Sequence, residues 1–362
     1  MPQGTAMLVP ETIPPPSDPV QELLDSMTID QKIGQLLMVS LDRQADVSSL
    51  DSLIQKGLVT GVLLLANGWD DAEVLDVSNA IRGQAEAQPI GLYLAVDQEG
   101  GNVQRLSGSG FSKIPTAAVQ GTWSAAKLTK NATDWALELN AVGVNLDLAP
   151  VTDTVPPTML RTNKPIGALG RQFGTDPKVV SAHSAAFIQG MNDGGVQACI
   201  KHFPGLGRIT GNTDTSTVGI TDDTTKAGDS YVAAFKTAIQ AEPAMVMISM
   251  ATYSQIDAKH PAVFSSAVIT GLLRDKIGWN GVVISDAMNA AAVKSTAVGQ
   301  RGVKFVQAGG DIALFTSVSD VDKAASAMKK LAATDQAFAA QIDAAVARVL
   351  TAKAAAGLLS TV

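Results

Sequence analysis

Eight short apolar runs, spaced along 362 residues, limit what this chain can fold into. They cover residues 35–40, 61–65, 92–96, 143–148, 196–200, 244–249, 281–285 and 311–315. Each is rich in Val, Ile and Leu and lacks a polar–apolar alternation. That pattern suits strands covered on both faces, as in a parallel sheet. Helical segments at 71–84, 124–142, 177–194, 229–241, 266–277 and 287–308 separate the runs. An Ala-rich helix over 341–356 ends before Gly357, a suitable C-cap. Thr28 and Gln31 form a capping box that opens the first helix. Eight strands alternating with helices predict an α/β fold with a single (β/α)8 barrel of the TIM type. A doubly wound open sheet is the structural alternative. No linker interrupts residues 25–358, so the expected organisation is a Pro-rich tail over 1–20 and one barrel domain over 21–362.

Composition narrows the function. Lys and Arg number 27 against 34 Asp and Glu, a net charge of -7, which disfavours nucleic acid or an anionic membrane as partner. The single Cys199 excludes a disulfide framework and a Cys-based zinc site. His183, His202 and His260 are too dispersed for an imidazole cluster, so no metal or cofactor is expected. No window approaches the roughly 18 apolar residues of a membrane span. The first residues lack a basic start followed by an apolar stretch, so a cytoplasmic monomer is expected for the chain as given. Export or envelope anchoring is the alternative if a signal has been trimmed.

In a barrel, active-site groups belong at the C-terminal ends of the strands. Here the third run leads into Asp97-Gln98-Glu99-Gly100-Gly101 and the fourth into Asp147-Leu148-Ala149-Pro150. The fifth leads into Lys201-His202-Phe203-Pro204-Gly205, the sixth into Ser249-Met250 and the seventh into Ser285-Asp286. Carboxylates and cations thus gather at one mouth from strands distant in sequence. Alone, Asp286 also suits the N-cap of a helix starting at Ala287, and Gly100-Gly101 suits an ordinary turn. Together the groups fit displacement at an acetal carbon, where a carboxylate meets an oxocarbenium-like centre and a second group protonates the leaving oxygen. Asp97, Arg171, Lys201 and His202 would hold sugar hydroxyls, which both donate and accept. Trp69, Trp123, Trp135 and Trp279 read as packing residues first.

In this order the motifs resemble glycoside hydrolase family 3, in its single-domain β-N-acetylglucosaminidase (β-hexosaminidase) branch. The matching stretches are Lys32-Ile33-Gly34-Gln35-Leu36, Asp97 to Gly101, Ala149-Pro150-Val151 and Gly170-Arg171-Gln172-Phe173-Gly174, followed by Asp176-Pro177. Lys201 to Gly205 and Gly281 to Asp286 complete the set, and the likeness spans about residues 25–358. The resemblance implies a retaining glycosidase for terminal β-linked N-acetylglucosamine, without a metal, acting on peptidoglycan turnover products or chitin fragments. It implies Asp286 as the nucleophile that carries a covalent glycosyl-enzyme intermediate. It implies Asp97, Arg171, Lys201 and His202 as sugar-binding residues. The length leaves no room for the sandwich domain of the family's two-domain β-glucosidases.

The chain departs from the branch on the loop after the fifth strand. The branch carries an Asp-x-His pair there, with the His as general acid/base. A gapless reading from Lys201 puts Asn212 at the Asp position and Asp214 at the His position. A shift of two puts Asp214 and Ser216 there instead. Neither supplies a His, and Leu206 and Asn102 replace two further residues usual in the branch, a His and an Arg. An imidazole trades a proton near neutrality, whereas an Asp in water is ionised there. Asp214 can replace the acid if burial or a neighbouring carboxylate raises its pKa. A catalytically impaired homologue that binds sugar is the alternative.

Overall fold

The computed structural model describes residues 19–86 and 88–359. Eight parallel strands form the frame: β1 (Leu37–Asp42), β2 (Gly61–Leu65), β3 (Tyr93–Val96), β4 (Leu146–Asp147), β5 (Gln197–Phe203), β6 (Met245–Ile248), β7 (Val282–Ser285) and β8 (Ala313–Phe315). Each pairs with the strand before and after it in the chain, and β8 pairs with β1. Ile284 opposite Ile312 joins β7 to β8 and closes the ring. The structure is thus the (β/α)8 barrel, and all eight apolar runs contribute a strand. Val, Ile and Leu of these strands are buried on both faces, beneath helices and within the barrel.

Several boundaries differ from the sequence reading. The Pro-rich tail over 1–20 falls on residues outside those described, except Pro19 and Val20, which open helix Pro19–Ser26. The Thr28–Gln31 capping box forms and starts the next helix, Ile29–Gly34. Strand β5 runs on to Phe203, so Lys201 and His202 lie inside it. The helix expected over 287–308 begins only at Val298, with Ala297 as its N-cap. Asp286 is therefore not a helix cap. The alanines of that stretch favour helix, but tertiary partners take its N–H groups: Met288 donates to Leu314 O, Ala291 to Asp214 O and Ala292 to Thr213 O. Among the described residues no helix is long and apolar enough to cross a membrane.

Two buried polar centres lock the ring. Lys353, on helix Gln336–Ala355, is wholly buried and donates to Gln35 Oε1, Thr60 O and Gly91 O at 2.7–3.0 Å. These bonds tie the last helix to the entry ends of the first three strands. Asp311, also fully buried, pairs with Arg274 at 2.8 Å and Arg348 at 2.7 Å, and accepts the Val283 N–H at 2.7 Å. It joins β7, two helices and the start of β8. Removing one member of such a pair strands buried charge. Asp311→Ala should destabilise the fold by about 3–5 kcal/mol in urea unfolding. A loss under about 1 kcal/mol would show that the closure does not depend on it.

Candidate active site

The C-terminal ends of the strands surround a cavity of about 280 Å³. Asp97, Arg171, Lys201, His202, Asp214 and Asp286 all line it. The six residues singled out in the sequence therefore meet, although they span 190 positions from Asp97 to Asp286. Among the described residues no group of His, Cys, Asp or Glu is arranged to hold a metal.

A four-charge cluster forms one wall. Lys201 Nζ lies 2.6 Å from Asp97 Oδ1 and 2.6 Å from Glu99 Oε1. Arg171 clamps the same Glu99 through two bonds of 2.7 and 2.8 Å. Burial opposes charge on Lys201, but Asp97 and Glu99 outweigh it and hold the ammonium's pKa above its usual value. Burial likewise works against the Glu99 carboxylate, and Arg171 and Lys201 overcome it, keeping its pKa well below the ordinary range. Arg105 adds a guanidinium 3.7 Å from Asp97 and also lines the cavity. Asp147, at the end of β4, is fully buried behind this wall. Burial pushes its carboxyl up to about 8.

His202 is oriented from behind. Its Nδ1 sits 2.7 Å from Asp153 Oδ2, which leaves Nε2 free to meet a ligand. Asp153 Oδ1 accepts the backbone N–H groups of His202 and Leu206. The same carboxylate thus holds both the ring and the base of the loop that follows.

That loop is clamped along its length. Asn163 donates to Leu206 O and Ile209 O. Arg208 bonds Asp229 at 2.6 Å and stacks over Tyr231 at 3.9 Å. Gly211 N–H meets Gly219 O at 2.7 Å and closes the loop on itself. Thr213 O and Asp214 O then accept from Ala292 and Ala291, on the segment that follows Asp286. This docking brings Asp214 into the mouth with Asp286. Asn212, Thr213 and Asp214 line the cavity and Ser216 does not, which favours the gapless reading of the loop. Asn212 Oδ1 accepts the Asp214 N–H at 2.9 Å.

Asp286 is half-buried just past β7. Its Oδ1 accepts the Ala287 N–H at 2.7 Å, and among the described residues no cation pairs with it. Asp214 as a residue is solvent-exposed, and it lines the mouth. Desolvation by the surrounding walls and the facing Asp286 charge push its pKa up to about 6, against the pull of His202 and Arg171.

Sequence reasoning missed four members of this constellation. Glu99 carried a signal, since residues two apart on an extended segment share a side with Asp97. Asp147 stood in the strand-end pattern but had no partner in view. Arg105 reaches the mouth because a hairpin pairs Val103–Gln104 with Gln98–Gly100. Asp153 had no local signal. Gly100 ends the first strand of that hairpin and Gly101 opens its turn, both at positive φ. A Cβ at Gly100 would stand 2.3 Å from Pro115 O. His183 bonds backbone oxygens of Val179 and Trp123, and exposed His260 meets Asp257. None of the four tryptophans lines the cavity.

A parallel barrel with carboxylates and cations gathered at this end is the frame of an enzyme active site. The profile of the Glycosyl hydrolase family 3 N terminal domain matches residues 28–352. A Beta-hexosaminidase of Stenotrophomonas maltophilia (strain K279a) is 35% identical over 287 residues, which cover 76% of this chain and 82% of that protein. Beta-hexosaminidase LpqI of Mycobacterium tuberculosis is 30% identical over 334 residues, covering 89% of this chain and 82% of that one. The crystal structure of a Beta-N-acetylhexosaminidase from Beutenbergia cavernae superposes with a TM-score of 0.86 at 41% identity, over 91% of this chain and 99% of that one. The chain belongs to glycoside hydrolase family 3 and is a glycosidase that hydrolyses O-glycosyl bonds.

The loop's fit can be tested at Gly207. A Cβ there would stand 1.8 Å from Thr154 O, a backbone atom that cannot swing away. Gly207→Ala should shift the loop and lower kcat/KM by about 10²-fold, as misplaced catalytic groups do. Unchanged kinetics would show that the loop's seat does not position Asp214.

Proposed function

We propose that this protein is a retaining β-N-acetylhexosaminidase in which an aspartate, Asp214, does the acid/base work that a histidine does in its branch. Asp286 Oδ attacks the anomeric carbon of a terminal β-linked N-acetylglucosamine. The bond to the leaving oxygen breaks as Asp214 gives that oxygen its proton. Asp214, now a carboxylate, takes a proton from water, and the water's oxygen displaces Asp286 from the sugar. Two inversions leave the β configuration. Asp97, Arg171, Lys201, His202 and Arg105 hold the sugar. The relatives' names support the N-acetylhexosamine, and fragments of peptidoglycan or chitin are the substrates this reading favours.

The observation that carries the reading is the pair of carboxylates in one mouth with unequal surroundings. Asp214, its pKa raised to about 6, keeps a proton available in mildly acidic solution, and Asp286 is the attacking carboxylate. A carboxyl whose pKa is raised in this way can act as the acid beside a second carboxylate that attacks.

The pH dependence follows. Asp214 must be protonated for the first step, so kcat/KM on an N-acetylglucosamine disaccharide should fall as pH rises through about 6. Asp214→Asn should remove that alkaline limb and cost about 10²–10⁴-fold on the disaccharide. It should cost much less on a 4-nitrophenyl glycoside, whose leaving group needs little protonation. Asp286→Ala should abolish turnover of both, by on the order of 10³-fold or more. Sugar binding without turnover in the parent would instead favour the impaired, sugar-binding homologue.

A further inference from the structure

The proposed reaction leaves Asp147 without a role, although its surroundings are unusual for a carboxylate. It is wholly buried at the end of β4. Its Oδ1 accepts the Gln98 N–H at 2.9 Å. Its Oδ2 is buried with no hydrogen-bond partner among the described residues. The strand neighbours are Val96 on β3 and Ala198 on β5, both apolar. The titratable and charged groups that face it are Asp97 and Glu99 beyond β3, and Lys201 and Cys199 on β5.

The cations of the neighbouring wall are already engaged. Lys201 and Arg171 are bonded by Asp97 and Glu99, Arg105 lies 3.7 Å from Asp97, and none of the three cations pairs with Asp147. A third carboxylate, ionised with one buried oxygen unbonded and no cation of its own, would be costly. The neutral acid fits the site. The backbone that Asp147 holds is Gln98, which lies directly between the two wall carboxylates.

We propose that Asp147 is a positioning residue for sugar binding: as the neutral acid it anchors Gln98 and leaves Lys201 and Arg171 wholly to Asp97 and Glu99. The role rests on the reading of that wall as the sugar site. Ionisation would set a third anion beside Lys201, draw the ammonium from Asp97 and loosen the grip on the sugar. Lys201 and Cys199 are both held above their ordinary values, so neither obscures the effect near pH 8.

The test is calorimetric binding of N-acetylglucosamine to the full chain between pH 7 and 9.5, which needs no turnover. The parent should lose affinity about tenfold across this range as the acid ionises. Asp147→Asn, which keeps the acceptor for Gln98 but cannot ionise, should stay within about twofold of the parent's pH 7 value throughout. Asp147→Ala, without the anchor, should bind about tenfold more weakly at every pH. If the Ala variant does not fold, the comparison of Asn with the parent decides alone. A parallel alkaline loss in Asp147→Asn, or none in the parent, overturns the proposal. A merely structural Asp147 would move the melting temperature and leave this pH dependence in place. Failure of the parent to bind at pH 7 would instead overturn the sugar-site reading, and the role of Asp147 with it.

Discussion

The site depends on one buried ammonium. Lys201 Nζ, nearly sealed from solvent, is shared by Asp97 and Glu99 at 2.6 Å each. An isolated charge in that position would cost several kcal/mol, and two close carboxylates without it would repel. The cation therefore fixes both, and Arg171 completes the balance from the loop after β4. Asp97 is left at the cavity with its outer oxygen near Arg105, in position for a ligand with hydroxyl groups. The adjacent residue, His202, is turned by Asp153, whose second contact fixes the start of the loop that carries Asp214. One short stretch of β5 thus sets the charged wall and the approach of Asp214.

The proposed use of an aspartate in place of a histidine depends on this setting. A carboxylate in water has lost its proton well below neutrality. The mouth supplies what the residue type lacks: walls that remove water and a second carboxylate that resists a like charge. Both depend on the loop lying against the segment after Asp286, through the N–H groups of Ala291 and Ala292. Those N–H groups are available because the alanine-rich segment does not coil into a helix at Ala287.

The barrel was legible because its strands are covered on both faces, which leaves eight uninterrupted apolar runs. Strand β4 shows the limit of that legibility. Only Leu146–Asp147 pair as a strand, because the Asn145 side chain takes over the bonds of Leu94 N–H and Leu92 O. The strand-end residues Asp97, Lys201, His202 and Asp286 could be read from position alone. Arg105 and Asp153 could not, since a hairpin and a backbone turn bring them in. The two registers of the loop at Asp214 were equivalent in one dimension, and only the packing of Asn212 to Asp214 at the mouth separates them.

The nucleophile is identified by trapping the glycosyl-enzyme with 5-fluoro-N-acetylglucosaminyl fluoride and mapping the labelled peptide by mass spectrometry. One sugar per chain is expected, on the peptide that contains Asp286, and none on Asp286→Ala. A label on Asp214, or turnover with no trapped ester at all, would contradict Asp286 as the nucleophile.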